Sequence, residues 1–153
     1  MKVKDIMTRE PRVCTPDTTL AAAANLMWDG DCGILPVVED GELVGVVTDR
    51  DMFVALATRD SLASDMRVGA VATRKVATCE PEDEVRAALA TMKQARVRRL
   101  PVVGFNRTVM GILSINDIVL AVGTDRTMRP EEVVETLKAI CAHHHPAPHV
   151  VAA

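Results

Sequence analysis

Apolar positions recur along this chain in two rhythms. Leu20, Ala23, Ala24 and Met27 stand at i, i+3, i+4 and i+7, as do Val85, Ala88, Leu89 and Met92, which predicts an amphipathic helix at each place. Pro16-Asp17-Thr18 and Pro81-Glu82-Asp83 precede them as helix-start signals. Each helix leads into two short apolar, β-branched runs. These are residues 34–38 and 43–47 around Glu39-Asp40-Gly41-Glu42, and residues 99–103 and 109–113 around Gly104-Phe105-Asn106-Arg107. Such pairs about Gly-bearing turns predict hairpins, and their unbroken apolar character predicts a sheet covered on one face by helices. Residues 51–57 and 117–122 predict a second helix in each unit, and a short strand is expected before each, near Val13 and Val76.

The two halves are copies. Sliding the chain by 65 residues brings Val13-Cys14-Thr15-Pro16-Asp17 onto Thr78-Cys79-Glu80-Pro81-Glu82, and Leu35-Pro36-Val37-Val38 onto Leu100-Pro101-Val102-Val103. Nine of the 26 positions from 13 to 38 are identical, too many for two unrelated segments of common composition. One extra residue near Asn106 shifts the register, after which Gly45-Val46-Val47-Thr48-Asp49-Arg50-Asp51 falls on Gly111-Ile112-Leu113-Ser114-Ile115-Asn116-Asp117. Repeats over 1–60 and 61–123 follow, with the polar stretch 58–68 as connector. Beyond them Pro130 suits a first helical position and Glu131 and Glu132 its positive end, with Val133, Val134, Leu137, Ile140 and Cys141 as an apolar stripe. A terminal helix within 124–142 is therefore expected, its face seeking this module or a second subunit. Residues 143–153, Pro-broken and His-rich, are expected to be a disordered tail.

Composition narrows the function. Of 153 residues 48% are apolar, yet aromatics are 2%: Trp28, Phe53 and Phe105, with no Tyr. A protein that stacks nucleic-acid bases on rings lacks its platform here. Net charge is −3, from 18 Lys and Arg against 21 Asp and Glu, so neither nucleic acid nor an anionic membrane is an expected partner. The start Met1-Lys2-Val3-Lys4-Asp5 carries no secretory pattern, and no apolar run approaches the ~20 residues of a membrane span. A cytoplasmic location is the expectation. Cys14, Cys32, Cys79 and Cys141 stand singly and read as reduced thiols, although Cys14 and Cys79 fall at equivalent places and invite a redox pairing. No enzyme is indicated: all four histidines lie in 143–149, and no phosphate-binding Gly-rich loop is present. No metal site is expected either.

Candidate chemistry occurs twice, where Thr48-Asp49-Arg50-Asp51 and Ser114-Ile115-Asn116-Asp117 open a helix after a Gly-bearing strand. A hydroxyl, free helix-end amides and a carboxylate three residues on suit the phosphate and ribose of a nucleoside monophosphate. The same spacing is also a capping box serving only its own helix. Arg96, Arg98 and Arg99 precede the second core strand, where the first copy has Gly33 and Ile34 in place of the last two. Guanidinium pairs bind phosphate bidentately; a solvated edge or an ion pair is the plainer alternative.

Together these motifs resemble the paired cystathionine β-synthase (CBS) domains, or Bateman module. Asp5-Ile6-Met7-Thr8, Leu35-Pro36-Val37-Val38, the Thr48 to Asp51 motif, Arg98-Arg99-Leu100-Pro101-Val102-Val103 and the Ser114 to Asp117 motif carry the resemblance, over residues 1 to about 123. It implies an α/β (α+β) fold in which two β-α-β-β-α units pack about a pseudo-two-fold axis and leave two clefts. It also implies a homodimer; with no catalytic or transport domain read in these 153 residues, regulation of a separate protein is the expectation. The implied ligand is an adenosine nucleotide (AMP, ADP or ATP), with S-adenosylmethionine or NAD as the alternative. On this resemblance Asp51 and Asp117 hold ribose, Thr48 and Ser114 contact ribose or phosphate, and Arg50, Asn116, Arg98 and Arg99 attend the phosphate. Adenine would lie near Thr15, Ile34 and Ile112. Because the first copy lacks the basic pair and adds Asp49, one strong and one weak site are expected. The competing expectation is a ligand-free dimeric interaction module.

Overall fold

The structure, a computed structural model, describes residues 1–124 and 128–142. Its elements in chain order are α1 (Val3–Ile6), β1 (Thr8–Arg9), α2 (Leu20–Asp29), β2 (Ile34–Glu39), β3 (Glu42–Thr48), α3 (Asp49–Arg59), α4 (Val85–Ala95), β4 (Arg99–Val103), β5 (Val109–Ser114), α5 (Ile115–Ala121) and α6 (Pro130–Cys141). The tail from residue 143 lies outside the described residues.

Local chemistry sets the boundaries of these elements. Thr19 caps α2, its hydroxyl accepting from the Ala22 amide at 3.1 Å. Asp40 and Gly41, both at positive φ (52° and 84°), join β2 to β3 in the two-residue turn that matches strand twist. In the second copy Gly104 and a 3-10 turn at Phe105–Arg107 absorb the extra residue. The hairpins run in equivalent registers, Ile34 opposite Thr48 and Arg99 opposite Ser114, each with a register shift between Val37 and Val38 or between Val102 and Val103. Two cores result. Leu20, Ala23, Met27, Leu35, Val37 and Val47 fill the first, and Val85, Leu89, Met92, Leu100, Val102 and Leu113 the second.

The strand expected near each repeat's start shrinks to one parallel bridge, Cys14 with Val37 and Cys79 with Val102, because only one residue of each segment meets the hairpin. Real strand pairing occurs earlier in the chain and between copies. β1 pairs with β5 of the second repeat, Thr8 opposite Ile112, while Thr73 pairs with Val46 of the first. The amide of Val3 donates to the Asp83 carbonyl (2.9 Å), that of Lys4 to Pro81 (3.0 Å), and that of Val85 to Met1 (3.1 Å). Sixty-five residues away, Val68 donates to Thr18 (2.8 Å), Gly69 to Pro16 (2.8 Å), and Leu20 to Met66 (2.9 Å). Packing therefore does not follow the cut at residue 60: Val3 sits in the second core, Met66 and Val68 in the first. The connector assigned to 58–68 ends inside this second arm.

Helix α6 covers its own chain. Val133 is buried in the second core with Leu137 and Ile140 packed beside it, and Arg86 on α4 holds Glu132 at 2.8 Å. Val134 and Cys141, placed on the same stripe by sequence, face outward, because buried Thr136 takes the centre of the face and donates to the Glu132 carbonyl.

A glycine in each second hairpin strand admits the exchanged arm. A Cβ on Gly111 would stand 2.7 Å from the Thr8 carbonyl oxygen, and one on Gly45 3.0 Å from that of Thr73. Gly111→Val should therefore expel β1 and lower stability by about 1–3 kcal/mol in urea unfolding, while substitution at neighbouring exposed Met110 to Val stays within about 0.5 kcal/mol. Equal effects at the two positions would contradict the close-approach role.

Candidate functional site

The pseudo-symmetric arrangement sets two helix starts against the opposite repeat. At α3 the Thr48 hydroxyl accepts from the Asp51 amide (3.2 Å), and Asp51 Oδ2 accepts from both the Thr48 amide (3.0 Å) and hydroxyl (2.7 Å). Ser114 and Asp117 at α5 repeat this, with 3.2, 2.7 and 2.8 Å. Both sites are thus complete capping boxes. They do not exhaust the carboxylates: each bond goes to Oδ2, which leaves Oδ1 of Asp51 and Asp117 for an outside donor such as a sugar hydroxyl.

Two clefts form around these helix starts. The first, of about 530 Å³, is lined by Thr48, Arg50 and Asp51 from one repeat and Arg96, Arg98 and Arg99 from the other, with Ile34, Val46 and Pro101 as apolar walls. Thr73, Lys75, Val76 and Ala77 of the exchanged arm close one side, and Ile140 of α6 reaches in. The second, of about 380 Å³, holds Ser114, Asn116 and Asp117 with Arg99, Ile34 and Ile112, and its arm contributes Thr8, Glu10, Pro11 and Arg12.

Charge separates them. Among the described residues, the cations Arg50, Lys75, Arg96, Arg98 and Arg99 and the carboxylates Asp49 and Asp51 line the first cleft. In the second, Arg12 and Arg99 face Glu10, Asp31 and Asp117. A half-enclosed, cation-rich cleft concentrates positive potential and suits phosphate. Asp49 spends part of its charge locally: Oδ1 accepts from the Arg50 amide at 2.8 Å, and Oδ2 lies 2.7 Å from where a Cβ on Gly33 would stand. Burial first, then Arg98, lower the pKa of the Arg99 guanidinium, opposed by Asp49 and Asp117. Arginine stays charged regardless.

Of the residues singled out from sequence, Thr48, Arg50, Asp51, Arg98, Arg99 and Ile34 meet in the first cleft. Ser114, Asn116, Asp117 and Ile112 meet in the second. Thr15 lines neither; its amide donates to the Thr18 hydroxyl at 3.0 Å in an exposed turn. The cleft walls expected in the neighbourhood of Thr15 are formed instead by residues 73–77 and 8–12, which the sequence reading missed. Their signal was present: Val3, Thr8 and Arg9 recur as Val68, Thr73 and Arg74 at the same offset of 65.

Cys14 and Cys79 are free, buried thiols, as the plainer reading of their single spacing had it. Each parallel bridge turns its cysteine inward, to 4% and 5% exposure, in separate cores. No redox pair is formed between them. Among the described residues no His, Cys, Asp and Glu cluster is fit to hold a metal, and no helix is long and apolar enough to cross a membrane.

Comparison with known proteins agrees with this architecture. The CBS domain family model matches twice, over residues 3–58 and 68–124. The chain belongs to the CBS domain family, as a tandem pair. CBS domain-containing protein YhcV of Bacillus subtilis is 34% identical over 116 residues, 76% of this chain and 81% of that one. The crystal structure of the CBS domain pair of protein MJ0100, in complex with 5'-methylthioadenosine and S-adenosyl-L-methionine, is similar at a TM-score of 0.73 and 28% identity, over 81% of this chain and 97% of that one. Homoserine O-acetyltransferase of Methanosphaera stadtmanae is 30% identical over 74% of this chain but only 22% of its own length. There the match spans a small part of a larger enzyme, in keeping with CBS domains being regulatory rather than catalytic modules.

Burial raises the Cys14 thiol from 9.0 to about 11; burial, aided by Asp83, raises that of Cys79 to about 12. Between pH 9 and these values the unfolded chain releases protons that the folded one keeps, so stability falls as pH rises. Urea midpoints should drop from pH 8 to pH 10, and Cys14→Ala/Cys79→Ala should show a shallower drop than the parent. An unchanged slope would mean that these thiols do not titrate on unfolding.

Proposed function

We propose that this chain is a cytosolic regulatory module that binds an adenosine nucleotide in the first cleft and signals to a separate protein. The observation that carries the reading is the convergence of Thr48, Arg50 and Asp51 of one repeat with Lys75, Arg96, Arg98 and Arg99 of the other. Asp51 Oδ1 would accept from ribose, while the cations and the amides at the start of α3 take phosphate oxygens. Ile34, Val46 and Val76 supply an aliphatic slot for adenine, as a chain with so few rings requires. The adenosyl ligands of the MJ0100 pair support the ligand class; the basic lining favours a phosphorylated member of it. Ile140 provides an output, because a ligand in this cleft touches α6 directly.

A second reading rests on surface hydrophobicity. Trp28 is 87% exposed and Phe53 72%, beside each other on a groove of about 580 Å³ with Met27, Met52 and Leu56, and Leu120 on α5 is 81% exposed. Faces of this kind fit a homodimer or a docking partner with no ligand involved.

Calorimetry and thermal shift with AMP, ADP, ATP, NAD, 5'-methylthioadenosine and S-adenosylmethionine distinguish the two. A phosphorylated adenosine ligand at 100 times its Kd should add about 2.7 kcal/mol of stability. Arg98→Ala/Arg99→Ala should weaken nucleotide binding at least about tenfold, by loss of charge-assisted bonds, and more than Asp51→Asn does. Binding by none of the six ligands would sink the nucleotide reading and leave the interaction module.

A further inference from the structure

Two residues, Ile34 and Arg99, line both clefts. They are mates across the pseudo-two-fold relation, 65 positions apart, opposite Thr48 and Ser114 in equivalent register. The partition between the clefts is therefore built from one neutral residue and one cation. Among the described residues no carboxylate lies within ion-pair distance of Arg99, although Asp49 attracts it from the first cleft and Asp117 from the second. Its charge is thus uncommitted between the two.

We infer that Arg99 is shared between the clefts and couples their occupancy negatively, so that an anionic ligand in one weakens an anionic ligand in the other. This rests on the nucleotide-binding reading. A guanidinium fork aligns bidentately with one phosphate at a time. When a phosphate in the first cleft engages Arg99, the second keeps only Arg12 against Glu10, Asp31 and Asp117. The first cleft, with further cations of its own, stays the tighter site, but the coupling free energy is the same in both directions. An uncharged nucleoside leaves Arg99 undisturbed and feels no such penalty.

The test is calorimetry on the full chain with AMP as the charged probe and adenosine as the uncharged one. Arg50→Glu/Lys75→Glu reverses two cations that line only the first cleft, and emptying that cleft should tighten AMP binding at the second about fivefold or more. In an Arg99→Ile background, which copies the Ile34 position, the same pair of changes should leave the second site unmoved; Arg99→Gln serves if the isoleucine variant does not fold. Adenosine should show no tightening in either background. Two AMP sites without linkage, linkage that survives Arg99→Ile, or a single AMP site in every variant would each overturn the shared-arginine inference while sparing the nucleotide reading. No AMP binding to the parent chain would overturn the shared-arginine inference, and only binding by none of the six ligands would remove the nucleotide reading as well.

Discussion

Everything at the centre of this protein depends on the exchange of two short arms. Residues 1–9 leave the first repeat to bond the second, and residues 66–73 do the reverse, through backbone hydrogen bonds of which those of Val3, Lys4 and Val85 recur at Val68, Gly69 and Leu20. A hairpin with two helices exposes a strand edge and an open helix end, each with unpaired amides that must find partners. Each repeat supplies those partners to the other. Neither core is therefore complete alone, and the arms that close the clefts are themselves hydrogen-bonded to the opposite hairpin, Thr8 to Ile112 and Thr73 to Val46.

The same exchange explains how a capping motif serves as a candidate ligand site. Capping uses only one carboxylate oxygen of Asp51 and of Asp117, and it locks the side chain while doing so. A carboxylate held this way loses little freedom when a ligand arrives, which favours binding. The choice between cap and contact, posed by the sequence, dissolves in the geometry: the cap positions the group that faces the cleft.

Much of this was legible beforehand. Helices at Leu20 and Val85, both hairpins and the terminal helix follow from periodicity, because each buries a continuous apolar face in one core. The arms were not legible as strands, since two or three residues paired across repeats leave no period to detect. Their copy, Val3, Thr8 and Arg9 against Val68, Thr73 and Arg74, shows only when the alignment is extended past the region of strong identity. Gly45 and Gly111 looked like ordinary strand glycines until the carbonyls of Thr73 and Thr8 appeared against them. Thr15 was misplaced because its amide is held by the Thr18 hydroxyl in an exposed turn, while the neighbouring Cys14 bridges to Val37 and turns inward.

Duplication alone would make two identical sites, so the differences between equivalent positions hold the functional information. Lys75 and Arg96 of the first cleft stand where the second has Glu10 and Asp31, a reversal of sign at both places, and Arg98 stands where the other copy has Gly33. Backbone placement is kept, so the divergence acts on electrostatics rather than on fold. Helix α6 breaks the symmetry again. It contributes Ile140 to the basic cleft and has no counterpart at the acidic one. A ligand shifts a conformational equilibrium only through contacts that differ between states. A phosphate ligand in the basic cleft would touch both repeats and α6, whereas one in the acidic cleft would, among the described residues, touch the repeats alone; the basic cleft therefore offers the more direct physical route to α6.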